Sequence, residues 1–211
     1  MATNFPTSVD VLTNPVSNDS LNSPSHSAQH ANANDAIEAI ETTLFAGGIN
    51  YTGLVHINTT TLSAASTVTF TNVFSSTYDN YRLVWNGAGA ASHSMRITFG
   101  SAAAGYYSQL MDFRSSAAAP TTQAVISNGA YGLFGNNWNG GSSIDCLISN
   151  PFTAAYTTFA STFTASESAI SATGSAGGSL NNTTSYTSCT IVPSSATTFT
   201  GTFRLYGLRN S

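Results

Sequence analysis

Residues 78–87 read YDNYRLVWNG, and this stretch decides the fold class because its apolar side chains recur at every second position. Tyr81, Leu83 and Trp85 would lie on one face of a strand, with the residues between them on the other. Such alternation is typical of a strand with one face in a core, since successive side chains point to opposite sides. We therefore expect a protein rich in β-structure.

The same signal recurs along most of the chain. Together with 78–85, the predicted strands are 51–58, 66–73, 94–99, 106–114, 122–127, 143–149, 157–164, 186–192 and 199–208. Clusters of Gly, Asn and Ser separate them, as at 86–89, 135–142 and 174–184. Short strands at this spacing predict a mainly β fold, with residues 47–211 as a jelly-roll-like β-sandwich knob.

Residues 24–46 predict a helix ahead of the knob. Ser23 can cap it, Pro24 suits its first position, and Gly47 and Gly48 would end it. Its core-type positions follow a heptad: His26, His30, Ala33, Ile37, Ile40 and Leu44. Isoleucine at both heptad core positions favours three or four strands over two. We expect a short trimeric coiled coil, the alternative being a helix that packs on its own domain.

Two histidines, His26 and His30, fall on this predicted seam. In a parallel trimer they would form rings of imidazoles able to bind a metal or an anion, or to respond to pH. The simpler interpretation is that the helices have splayed at this point and the histidines hydrogen-bond the N-terminal arm. We assign no metal or cofactor to them.

Residues 1–23 predict an extended N-terminal arm. Pro6 and Pro15 interrupt regular pairing, and the apolar residues follow no helical period. Those apolar residues are the candidate anchor: Phe5, Val9, Val11, Leu12, Val16 and Leu21. Termini often fray, so a floppy tail is the alternative to an arm that docks on a partner.

The composition excludes several classes of function. Only 7% of residues are charged and none is lysine, yet 41% are hydrophobic, which does not suit a disordered chain. The net charge is −4, with six acidic residues and no lysine or arginine among the first 81. No cluster of cations could neutralise several phosphates, so we expect no nucleic-acid partner.

The chain has no signal-peptide pattern and no apolar run of about 18 residues, so we expect no Sec export and no membrane insertion.

Four stretches carry a resemblance. They are FPTSVDVLTNPVSNDSLNSPSHSAQHANANDAIEAIETT at 5–43, YDNYRLVWNG at 78–87 with MRITFG at 95–100, and GTFRLYGLRNS at 201–211. The first resembles N-terminal segments of virion proteins from tailed bacteriophages, and the others resemble phage β-sandwich knobs. The resemblance implies a homotrimeric virion fibre or decoration protein, anchored through its N-terminus to capsid or tail proteins, without catalytic residues.

The sequence offers little for catalysis. The knob has four acidic residues, Asp79, Asp112, Asp145 and Glu167, and no two are close in sequence as a glycosidase pair might be. The run at 92–94, Ser-His-Ser, suggests a nucleophile and a base, but neighbouring strand residues face opposite ways and no orienting acid is nearby. We interpret the run as a polar turn and expect no enzyme activity.

Two cysteines and a few aromatic residues complete the candidates. Cys146 and Cys189 alternate with apolar neighbours, which suits buried free thiols, although a disulfide stays open. Trp138 lies in a Gly/Asn-rich stretch between Asn136, Asn137 and Asn139, where an exposed indole could stack on a sugar. Tyr106 and Tyr107 are the second choice, and core packing is the alternative for every aromatic residue among them.

The predicted function follows from these points. We expect a non-enzymatic protein of the virion surface, a homotrimeric head fibre or decoration protein whose knob adheres to host-surface glycans. A short stalk and a small knob favour the head. The alternatives are a receptor-binding tail fibre, a carbohydrate-binding module and a polysaccharide-degrading tailspike.

Overall fold

The structure, a computed structural model, describes residues 26–45, 53–116 and 121–209, with the side chains of 26–29, 41–45, 121–123 and 209 outside the description. The candidate anchor residues Phe5, Val9, Val11, Leu12, Val16 and Leu21 lie outside the described residues. The chain divides into two compact units, Met1–Tyr51 and Thr52–Ser211.

The first unit contains a helix, α1, over His26–Phe45, where the sequence predicts one. Ala33, Ile37 and Ile40 lie along one side of it at heptad spacing, and Ile37 and Ile40 are 54% and 46% exposed in the protomer. His30 is also exposed. Among the described residues, α1 is the one helix. It is not long and apolar enough to cross a membrane. Its assembly into a coiled coil stays a prediction.

The second unit is built from strands, which confirms the mainly β fold. The described strands are β1 Leu54–Ala65, β2 Val68–Phe70, β3 Tyr78–Gly89, β4 His93–Phe99, β5 Tyr106–Arg114, β6 Thr121–Gly129, β7 Gly132–Asn137, β8 Ser142–Ser149, β9 Thr157–Glu167, β10 Ile170–Leu180, β11 Cys189–Pro193 and β12 Phe199–Arg209. They form two antiparallel sheets, as a β-sandwich requires. The large sheet has the order β1-β12-β3-β8-β9-β10-β5-β6, and the small sheet β2-β11-β4-β7.

The core lies between the sheets and is rich in aromatic residues. In β3, Tyr81, Leu83 and Trp85 are fully buried, as their alternation predicts. Trp85 packs against Phe203 of β12 with ring centroids 4.4 Å apart, and meets Phe199 edge-on. Buried aromatic side chains of this size supply most of the apolar area that stabilises such a sandwich.

Two strands differ from the sequence-based expectation. β7 and β10 fall in segments predicted as loops because neither shows large apolar residues at every second position. In β10 the core-facing row reads Ala172, Gly174, Ala176, Gly178 and Leu180, so only its last residue is large and apolar. A Cβ on Gly174 would lie 2.4 Å from the Phe163 ring, so glycine here leaves room for the aromatic core. β7 has all six residues buried, which hides the period of two.

Candidate functional site

The residues predicted to bind a glycan do not form an exposed platform. Trp138 is 5% exposed, Asn136 3%, and Asn137 and Tyr106 0%. Tyr107 and Asn139 are exposed, and binding of a sugar by either stays a prediction. The prediction that Trp138 offers a flat indole face to a sugar is therefore wrong, because stacking needs a face that solvent can reach.

Trp138 is buried because small residues make room for it. Ala165 of β9 and Ala172 of β10 are directly paired across the large sheet, and the indole packs against both. The guanidinium of Arg114 lies 5.2 Å from the centre of the indole ring, within reach of a cation–π contact. Trp138 thus forms a small buried cluster with two alanines, separate from the main core, and helps to hold Arg114.

Tyr106 is a core residue at the start of β5. Its hydroxyl oxygen accepts a hydrogen bond from the backbone N–H of Phe99 at 2.7 Å, and the two rings stack. Burial raises the pKa of Tyr106 well above its usual range. The phenol is therefore a neutral structural group with no surface available to a sugar.

Asn136 and Asn137 belong to a hydrogen-bond network between the sheets. Asn136 accepts a hydrogen bond from the Ser94 hydroxyl at 2.9 Å, and its amide donates to the Asp112 carboxylate at 3.2 Å. The side-chain carbonyl of Asn137 accepts from the Ser142 hydroxyl at 2.5 Å. Buried amides need such partners, because an unpaired buried polar group is costly.

A polar cleft of about 290 Å³ opens at one end of the sandwich. At this end β4 and β10 begin and β5, β7 and β9 end. We define the polar cleft by six residues that line it: Ser92, Ser94, Arg114, Asn136, Trp138 and Glu167. Asn136 and Trp138, which the sequence suggests as glycan-binding residues, therefore both lie in the walls of this cleft.

One wall of the polar cleft is a tight hairpin. Glu167 at the end of β9 pairs across the turn with Ile170 at the start of β10, and Ser168 between them has a φ of 49°. Both Glu167 and Ile170 face the cleft. Glu167 Oε2 accepts a hydrogen bond from the Ser92 hydroxyl at 2.6 Å. No sequence signal pointed to Glu167, because 75 residues separate it from Ser92.

The opposite wall contains a partly buried ion pair. Asp112 is fully buried at a core-facing position of β5, and Arg114 follows two residues later on the same face. Arg114 Nε lies 3.3 and 3.1 Å from the two Asp112 oxygens. The pair places a positive group at the cleft surface, since the Arg114 side chain is 36% exposed.

His93 is arranged as a structural residue. Its Nδ1 lies 2.7 Å from the Ala91 carbonyl oxygen, and its Nε2 lies 3.4 Å from the Asn137 amide. These contacts suit an Nδ1–H donor and an Nε2 acceptor, and burial lowers the pKa of His93. The run at 92–94 is thus not a polar turn: His93 begins β4 and is buried. An acid does lie close, but Glu167 contacts Ser92 and not the imidazole.

The described contacts therefore contain no serine–histidine–acid relay. Ser92 donates to Glu167, while both nitrogens of His93 face other groups. Of the other acids of the knob, Asp112 is held by Arg114, and Asp145 forms an ion pair with Arg82 on the outer face of the large sheet. The arrangement suits binding of a small polar ligand, since donors and acceptors line the cleft side by side.

The part of the chain that the structure describes contains no evident metal-binding site and no reactive thiol. No three His, Cys, Asp or Glu side chains are placed there to share a metal ion. Cys146 and Cys189 are free and buried, which agrees with buried thiols and not with the disulfide alternative. Burial raises the pKa of both, that of Cys189 to about 12, so neither is a reactive thiolate.

Comparisons with known protein families, with curated proteins and with solved structures found no match for this chain.

Proposed function

We propose that this chain is a non-enzymatic structural protein of a phage particle: a homotrimeric head fibre or decoration protein at the virion surface. Its arm, residues 1–23, anchors it to capsid or tail proteins, its helix forms a trimeric coiled coil, and its jelly-roll-like knob adheres to host-surface glycans. The single observation that carries the proposal is the pair of exposed isoleucines on α1, Ile37 and Ile40.

The helix supports self-association. Ile37 and Ile40 are about half exposed in the protomer, at positions three residues apart on one side of α1. Burying an isoleucine stabilises by roughly 1.5–3 kcal/mol, and an isolated helix of this length is marginal in water. A second and third copy would cover both side chains, and isoleucine at both heptad positions favours three or more strands.

The knob supports display and adhesion over catalysis. Two of the five arginines, Arg82 and Arg114, are held in ion pairs within the knob. The surface therefore offers few charges for steering a charged ligand or polymer. A neutral surface presented in three copies suits a ligand whose weak single contacts are multiplied by avidity.

The experiment is incorporation into particles. The full chain and a variant lacking residues 1–22 are supplied in turn to phage that lack the gene, and purified particles are analysed by immunoblot and electron microscopy. We expect the full chain to decorate the head and the truncated chain to be soluble but absent from particles. Truncated protein incorporated at the full-chain level would contradict anchoring through the arm, and labelling confined to the tail would contradict the head assignment.

A further inference from the structure

We propose that the polar cleft binds one ring of a neutral saccharide, with Glu167 and Arg114 as its main hydrogen-bonding groups. This inference rests on the adhesive role proposed above and moves the contact site from the face of Trp138 to the cleft beside it. No glycan site follows from the buried indole itself.

The polar cleft combines an acceptor and a donor at its surface. Glu167 is partly exposed and uses one oxygen for Ser92, and an ionised carboxylate has about four lone-pair positions in all. Arg114 presents a guanidinium, which only donates. Each sugar hydroxyl both donates and accepts, so neighbouring hydroxyls of one ring can address both groups at once.

The donor side is preorganised. Both oxygens of the fully buried Asp112 lie near Arg114 Nε, and the Trp138 ring lies 5.2 Å below the guanidinium. Asp112 is itself held by the amide of Asn136. A group fixed in this way loses little freedom when a ligand binds, which is how small sites reach useful affinity.

The charges favour a neutral ligand. Among the residues that line the cleft, Glu167 is acidic and Arg114 is basic, and Arg114 is already paired with the buried Asp112. His93, the remaining titratable group of the lining, has a lowered pKa and is neutral at pH 7. A phosphate or a sugar acid would find Arg114 already compensated and would be repelled by Glu167. A neutral saccharide meets no such repulsion.

The size limits the ligand to about one ring. Pockets for drug-sized ligands span roughly 300–1,000 Å³, and the polar cleft has about 290 Å³. Ile170, which is 38% exposed beside Glu167, adds an apolar contact for the C–H face of a ring. We therefore expect recognition of a terminal or branch sugar and not of a long polymer segment.

The test uses the full chain and saturation-transfer NMR, which detects weak binding at a single site whatever the oligomeric state. The direct probes are the methyl glycosides of glucose, galactose, mannose and N-acetylglucosamine, lactose as a disaccharide, and glucuronic acid as an anion. Inorganic phosphate has no carbon-bound protons, so it is added as a competitor against a bound neutral probe. We expect at least one neutral probe to bind, glucuronic acid to fail, and phosphate to leave the signal of the neutral probe unchanged. If no neutral probe binds, the inference is overturned, while the trimer and its anchor are unaffected.

The sign of one substitution separates a saccharide site from an anion site. Glu167→Gln keeps the shape but removes a charge-assisted hydrogen bond, which should weaken binding of the neutral probe about fivefold. The same change should strengthen binding of an anion. Asp145→Asn is the matched control, since it neutralises a carboxylate on the outer face of the large sheet, and it should leave binding unchanged.

The outcomes then divide cleanly. Weaker neutral-probe binding in Glu167→Gln alone supports the inference. Unchanged or tighter binding in that variant, equal loss in Asp145→Asn, preference for glucuronic acid, or displacement of the neutral probe by phosphate overturns it. Release of free monosaccharides from lactose would instead contradict the non-enzymatic part of the proposed function.

Discussion

Two regions of the knob each contain an arginine–aspartate pair, and the pairs differ in burial. At the polar cleft, Asp112 is fully buried and Arg114 is 36% exposed. On the outer face of the large sheet, Arg82 and Asp145 form an ion pair with both side chains about two-fifths exposed. The Asp145 carboxylate raises the pKa of Arg82 through a hydrogen bond and its charge.

The difference in burial changes what each pair does. An exposed pair contributes little, since water solvates both partners when they separate. Breaking a pair with one buried member is costly, because a charge is left without compensation inside the protein. The cleft pair therefore fixes local geometry, and the outer-face pair contributes little to stability. The predictions below contrast variants at the polar cleft with matched variants on the outer face.

The largest effect should come from Trp138→Ala. Removing the indole leaves a cavity over Ala165 and Ala172 and frees Arg114 from its aromatic contact. We expect a loss of about 4 kcal/mol in the free energy of unfolding, measured by denaturant titration. Tyr107→Ala, an aromatic residue exposed by 40% on the outer face, is the control and should cost less than about 1 kcal/mol. Equal losses would show that Trp138 is not a packing residue.

Next comes Arg114→Met, which keeps the apolar stem and removes the charge. Asp112 would then be fully buried beside Asn136 without its cation. We expect a loss of about 3 kcal/mol by the same titration, against about 0.5 kcal/mol for Arg82→Met. If the two methionine variants lose the same amount, burial does not distinguish the pairs.

A smaller effect concerns pH. Burial lowers the pKa of His93 below its usual value of 6.5. As the pH falls below 6.5, the imidazole is therefore protonated more readily in the unfolded chain than in the folded one. This contribution to stability is complete above about pH 6.5 and is lost as the pH falls through the folded-state pKa. We expect the melting temperature to fall between pH 7 and pH 5 more steeply in the wild type than in His93→Gln. Parallel profiles would exclude His93 as the cause.

The smallest effect should be that of Asp145→Asn. Its ion pair with Arg82 is exposed and screened by salt, so we expect a change below about 1 kcal/mol that shrinks further in 1 M NaCl. Thermal unfolding at two salt concentrations measures this. A loss that is as large in high salt as in low salt would show that the outer-face pair is held like the cleft pair.

Much of the fold could be predicted from alternation alone, because strands such as β3, β4 and β8 carry large apolar residues on one face. β10 could not, since its core-facing row contains Gly174, which leaves space for the Phe163 ring, and Gly178, which allows close approach of the β5 backbone at Tyr107. Burial of Phe163 over Gly174 depends on the pairing of β9 with β10, which no local pattern encodes. Gly-rich stretches can therefore be central strands when their neighbours are aromatic.

The site was only partly predictable for a similar reason. Asn136 and Trp138 were recognised as candidates, but their surroundings suggested a loop and the structure buries both. Trp138 is covered because Ala165 and Ala172, which are distant in sequence from it, are small. Glu167 has no motif at all and reaches the cleft through the β9–β10 hairpin. Pairing between distant strands creates the cleft, so its composition could not be deduced residue by residue.

We expect three copies of this chain to associate through α1. Native mass spectrometry of the full chain at micromolar concentration tests it most directly, with Ile37→Asp as the seam variant and Val125→Asp, exposed by 59% on the knob, as a control. We predict a mass three times the 21.8 kDa of one chain for the wild type and the control, and a weakened trimer for Ile37→Asp. A wild-type mass of one or two chains would contradict the claim.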